Sequence, residues 1–232
     1  MAISIIKIKD YDLEKLEFKQ LSTSNNKIMI PVYNNLKQPS YIQLPKINLD
    51  MYGIPSKASY FTNDLQRCFL KLPLNQEDQE VQELTKFFKR IDDMLCSSDF
   101  IEKNLCKKAK YNYLPIIKQP TDTEKKRHPS IKLKLHLEYP SNKILTKIVE
   151  EEQDGKYNIV NTENLEEFEK FFLLKSSLKC VIMPVKLWIH QTNTNVFSYG
   201  MTFKLIKVMI KRPLEQLNKF VDDIDFLDSD SD

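Results

Sequence analysis

A chain of 232 residues and 27.4 kDa, with 41% hydrophobic and 29% charged residues and a mean hydropathy of −0.44, suits one large domain. It is too mixed to be collagen-like, membrane-embedded or wholly disordered, and its three glycines (Gly53, Gly155, Gly200) lie too far apart to build a glycine-rich phosphate loop. The net charge of +3 hides an asymmetry: residues 221–232 carry six Asp and no base, which leaves 35 Lys and Arg against 26 acids in residues 1–220.

The start, MAISIIKIKDYD, alternates apolar and charged residues where a signal peptide would show an apolar core, and no apolar run approaches the roughly 18 residues of a membrane span. Neither export nor membrane insertion is expected. Cys68, Cys96, Cys106 and Cys180 show no C-x-x-C pair and no His at ligand spacing, so reduced thiols in a cytosol-like compartment are expected, and no metal or cofactor.

Residues 1–74 predict short strands broken by turns: Ile3 to Lys9, Lys27 to Tyr33 and Tyr41 to Leu44, then an aperiodic loop over 46–66 and a further strand from Arg67 to Leu72. Asn75 is placed to cap an amphipathic helix with Val81, Leu84, Phe87, Phe88, Ile91 and Leu95 on one face. A second helical turn is expected from Asp99.

Between Lys103 and Lys134 ten Lys and Arg face only Asp122 and Glu124. Within this stretch Gln119 to Pro129 reads as a mobile surface loop, and Ile131 to Leu137 then alternates strictly, with one aliphatic face and one basic. A meander is expected to follow through turns at Tyr139–Asn142 and Asp154-Gly155. Thr162 is placed to cap a short helix bearing Leu165, Phe168, Phe171 and Phe172. Leu178 to His190 and Phe197 to Lys211 are the most strand-like segments, joined by Gln191 to Asn195, with Pro184 marking an edge or bulge. From Lys175 to Arg212 there are seven Lys and Arg and no acid.

Catalysis is weakly signalled. The three histidines, His128, His136 and His190, sit in a polar loop or among bases, with no arrangement that marks an activated nucleophile. The stronger signal is cationic strands that interleave aromatics, because single-stranded nucleic acid is held by a positive groove along its phosphates and by rings on which bases stack. The candidate contacts are Lys107, Lys108, Lys110, Tyr111, Tyr113, Lys132, Lys134, His136, Lys186, Trp188, Tyr199, Lys204 and Lys207. For Trp188 a place in the core is the competing assignment. The tail has three readings: a solvated end, a polyanion docking on the basic groove until DNA displaces it, and a partner-recruiting segment anchored by Phe226 and Leu227, with Ser229 and Ser231 open to phosphorylation.

Three segments, in order, carry a resemblance: His128-Pro129-Ser130-Ile131-Lys132-Leu133-Lys134-Leu135, Cys180-Val181-Ile182-Met183-Pro184-Val185-Lys186-Leu187-Trp188, and Tyr199-Gly200-Met201-Thr202-Phe203-Lys204-Leu205, followed by an Asp-rich end. Over about residues 75–232 the chain resembles the single-stranded-DNA-binding proteins of nucleocytoplasmic large DNA viruses, of the poxvirus and African swine fever virus type. The resemblance implies an α+β, mostly β fold built as an OB-like barrel with accessory helices and a disordered acidic C-terminal tail. Residues 1–220 are expected to form a single nucleic-acid-binding domain, with a β-rich part over 1–74 and an OB-like core over 75–220, followed by the acidic tail over 221–232. It implies sequence-independent binding of single-stranded DNA during viral genome replication and self-association on DNA; protection of the strand, replication partners met through residues 221–232, and residence in viral factories of the host cytoplasm or in the virion are expected with it. Two other readings stay open: an RNA-binding or transcription-associated protein, and a virion interaction module that meets no nucleic acid.

Overall fold

A computed structural model describes residues 4–24, 27–58, 61–105, 109–121, 127–152 and 154–213. Its centre is a hairpin of two long strands, β11 (Ser177–Asn193) and β12 (Val196–Lys211), each alternating buried and outward residues over most of its length. The turn between them is Thr194-Asn195, shorter than the expected connection, with Asn195 at φ 60°.

Ten shorter strands attach to this hairpin or to one another. They are β1 (Ile5–Lys7), β2 (Leu16–Phe18), β3 (Ser22–Ser24), β4 (Lys27–Asn34), β5 (Tyr41–Asn48), β6 (Phe69–Pro73), β7 (Lys110–Tyr113), β8 (Ser130–Leu135), β9 (Lys147–Glu151) and β10 (Tyr157–Val160). The main path runs β1-β5-β11-β12-β8-β6. β4 and β5, from the first 74 residues, both pair with β11, so the two halves of the chain share their strands. The fold is mostly sheet with a few helices, and the sheet path does not close on itself.

β11 is an interior strand, and Pro184 lies at a bulge where the register shifts between Pro184 and Lys186. β5 pairs with β11 up to Ile182 and β4 takes over at Lys186. The missing proline N–H therefore falls in the gap between these two neighbours, where no ladder bond is lost.

The expected meander is corrected. The expected turns are present, the first closed by Glu138 N–H to the Lys143 carbonyl, Leu145 N–H to the His136 carbonyl and the bridge Leu137–Ile144, and β9 and β10 form an antiparallel hairpin, but β8 and β9 themselves form no ladder. β7, β8 and β9 instead line up along the second edge of β12, each parallel to it, against Val196–Tyr199, Phe203–Leu205 and Lys207–Ile210.

Helix α1 (Gln79–Cys96) packs Val81, Leu84, Phe87, Phe88, Ile91 and Leu95 into the core, and the Phe88 ring meets Phe203 of β12 edge-on at 5.4 Å. Its cap is Asp78, whose side chain accepts from the N–H groups of Glu80 and Val81. Asn75, the expected cap, accepts from Glu77 N–H in the preceding turn. Likewise α2 (Ser98–Asn104) is capped by Ser97 rather than started by Asp99, and α3 (Leu165–Glu169) by Asn164 rather than Thr162. In each case a side chain within three residues of the first free N–H groups takes the role.

Behind α3, Arg67 is buried among Asp64, the Pro55 carbonyl and Glu169, which ties that helix to the segment before β6. No described helix is long and apolar enough to cross a membrane.

Candidate nucleic-acid interface

In β8, Ile131, Leu133 and Leu135 are buried while Lys132 and Lys134 point outward, as strict alternation demands. β12 continues that outward face: Lys204 pairs with Lys134, and Thr202, two residues earlier, shares its side. Across the hairpin Thr202 faces Lys186 and Gly200 faces Trp188. On the other flank, β6 sets Phe69 opposite Lys134 and Lys71 opposite Lys132. Four neighbouring strands thus present Lys71, Lys132, Lys134, Lys204 and Lys186 on one face, crossing the sheet at strand spacings of about 4.8 Å.

None of these five lysines, nor Lys27 or Lys118 beside them, has an ion-pair partner among the described residues. Among the described lysines ion pairs are formed by Lys15, Lys57, Lys86, Lys156 and Lys211, all away from this face. The consequence is electrostatic. Burial against the sheet lowers the Lys134 pKa below the ordinary lysine value, and Lys186 and Lys27 lower it further. Lys132, Lys204 and Lys71 shift the same way, again chiefly through burial, with neighbouring cations adding to it. His136, at the end of β8, is lowered by burial and by Lys204. Such a face lacks its anion.

The lysines border a cleft of about 300 Å3 whose walls are Leu114, Pro115, Ile116 and Trp188, with Lys118, Lys132 and Lys134 at its rim and Thr202 in its floor. Trp188 is half-buried, and its indole lies across Gly200: a Cβ added there would stand 2.8 Å from Trp188 Cζ2 and 3.1 Å from the Leu114 carbonyl oxygen. Glycine is required by this close approach. Replacing Gly200 with alanine is expected to shift the indole and cost about 1–3 kcal/mol of stability through overpacking. Trp188 is the chain's only tryptophan, so a change in its emission spectrum checks this directly.

Of the expected contacts Lys132, Lys134 and Trp188 line this cleft, while Lys186 and Lys204 share its face of the sheet, with His136 next to Lys204. Lys207 lies farther along β12 on the same side, past the bulge at Ile206 and opposite Lys147 of β9. Lys110 sits at the far end of β12, opposite Val196. Lys107 and Lys108 lie outside the described residues, as do residues 122–126 of the expected loop and the acidic tail.

The three tyrosines are corrected. Tyr111 and Tyr113 alternate with Lys110 and Asn112, so they face the other way, Tyr113 toward Asp92 of α1 and half-buried Tyr111 toward a separate cleft with Leu21, Ile28, Ile189 and Phe197. Tyr111 stacks on Phe197 at 5.6 Å, and the Tyr113 hydroxyl donates to Asp92 Oδ1 at 2.5 Å. Tyr199 is fully buried and donates to the Leu95 carbonyl at 2.6 Å, which leaves no ring face for a base. Burial pushes the Tyr199 hydroxyl up to about 12.

Other aromatics serve the cationic face: the Lys132 ammonium stands 3.5 Å over the Phe69 ring and Lys71 stands 3.8 Å over Tyr52. Phe69 and Lys71 are missing from the sequence-based contacts. The alternation in Phe69-Leu70-Lys71-Leu72 carries the same signal that marked Lys132 and Lys134. No family model matches the chain and no curated protein matches it, so the case for its function rests on this face.

Proposed function

We propose that this chain binds single-stranded DNA without sequence preference and coats and protects it during the genome replication of a large DNA virus. The observation that carries the reading is a row of lysines from Lys71 to Lys186 on one sheet face, without ion-pair partners among the described residues, in which Lys132 and Lys134 line a cleft walled by Trp188. A positive track with an aromatic wall suits a strand whose phosphates and bases are both exposed. The OB-like arrangement belongs to the same proposal. It is supported by the way β11 and β12 each change neighbours along their length, as a strongly bent hairpin would require.

The test is fluorescence anisotropy of labelled oligo-dT at low and high salt, with duplex DNA and oligo-U as competitors. Tight, salt-sensitive binding with poor competition by duplex is expected; no binding at low salt would sink the proposal, and preference for oligo-U would turn it toward RNA. Each phosphate neutralised on a single strand contributes about −0.7 to the slope of log K against log salt. The triple variant Lys132→Gln, Lys134→Gln, Lys204→Gln is therefore expected to flatten that slope by roughly 2.

In the same reading the six Asp of residues 221–232 compete with the strand for the lysine face. A chain ending at Phe220 is expected to bind oligo-dT more tightly than the full chain at low salt, with the gap closing as salt screens the attraction. Equal low-salt affinities would remove the tail from the mechanism.

A further inference from the structure

Cations converge on Lys134 from three other strands. Lys204 is its register partner on β12, Lys186 comes from β11, Lys27 from β4, and Lys132 from its own strand. From β6 it meets Phe69, which is uncharged. No carboxylate among the described residues forms an ion pair with it. A lysine amine becomes a nucleophile when it is desolvated or set beside another cation, since both favour the neutral form. Lys134 points outward but has the second condition, with Lys204 set opposite it in the register, and it lines a cleft of about 300 Å3. Its neighbour Lys132 differs, because the Phe69 ring beneath that ammonium favours the charged form.

Resting on the single-strand reading above, we propose that Lys134 captures carbonyl groups carried into this cleft on a bound strand, the substrate class being the aldehyde of a deoxyribose that has lost its base. The flanking phosphates of such a position are drawn to the lysine row like those of any other. Its missing base leaves the Trp188 wall unoccupied and the ring-opened sugar within the cleft. The Nζ lone pair adds to the aldehyde carbon and breaks the C=O π bond, while one amine proton passes to the oxygen. The hydroxyl of this adduct then leaves as water with the second amine proton, and a C=N bond joins strand and protein. No oxidant or reductant is consumed.

The test incubates the full chain with oligo-dT carrying one abasic position and with cyanoborohydride, which reduces the imine to a stable amine, and maps the adduct by peptide mass spectrometry. Anisotropy with intact oligo-dT runs in parallel. The expected result is an adduct concentrated on Lys134 and already formed near neutral pH, where exposed lysines such as Lys86 and Lys89 remain unreactive. With each protein saturated by oligonucleotide, Lys134→Arg is expected to trap about tenfold less, since a guanidinium does not act as the amine nucleophile. Adducts spread over the lysines in proportion to exposure, or undiminished trapping by Lys134→Arg, would overturn the inference while intact oligo-dT still binds. Failure of intact oligo-dT to bind would overturn the single-strand reading and this inference with it.

Discussion

Trp188→Ala is expected to weaken oligo-dT binding by roughly 5- to 150-fold, the equivalent of the 1–3 kcal/mol that one base stacked on an aromatic ring contributes. The fold should survive, because the indole is half-buried on the outer face of β11, over Gly200 rather than among the core side chains. In the wild-type protein the same ring supplies an internal probe: adding oligo-dT should quench its emission in proportion to occupancy. A Trp188→Ala protein that binds as tightly as wild type would take the cleft out of the interface. One that unfolds would make Trp188 a structural residue and leave the lysines to bind by charge alone.

Tyr199→Ala should do the opposite, costing about 3–5 kcal/mol of stability, the usual range for truncating a large buried aromatic side chain. It empties a site with 0% exposure and leaves the Leu95 carbonyl without its donor. Tyr199→Phe isolates that hydrogen bond, with an expected loss of about 1–2 kcal/mol. Urea unfolding followed by Trp188 emission measures both. If Tyr199→Ala instead melts like wild type and loses oligo-dT, the tyrosine belongs to the interface and its burial beneath α1 is misjudged.

These two aromatics show what was legible in the sequence. Alternation tells which residues share a face of a strand, and in Ile131 to Leu135 it separated lysines from core correctly. It does not tell which face meets water when both carry large side chains. Lys110 and Tyr111 are adjacent in the chain and for that reason point to opposite sides, so closeness in sequence misled where a spacing of two would have informed. Tyr199 and Lys204, five apart, fall on opposite faces for the same reason. Phe69 and Lys71, two apart, carried the correct pattern on a strand whose pairing with β8 was hidden.

Helix positions were legible from the apolar spacing of Val81 to Leu95, but the caps slid by two or three residues because several Asx and Ser side chains competed for the same free N–H groups. Strand partners were the least legible. Nothing local in β7, β8 or β9 says that each lies parallel to β12, since parallel partners are joined by long crossovers and chosen by the tertiary core.

That arrangement along β12 bears on how the protein is made. β7, β8 and β9 reach their common neighbour across some 60 to 85 residues of chain, as in Lys110 with Val196, Lys134 with Lys204 and Lys147 with Lys207. Pairings so distant in sequence form slowly, because loop closure must precede the contacts that reward it. The lysine row is therefore completed only after residue 204 has emerged from the ribosome. A growing chain carries its positive segments without the surface that aligns them, and under the proposed function only molecules whose synthesis has passed the second arm of the hairpin would present the face that takes a strand.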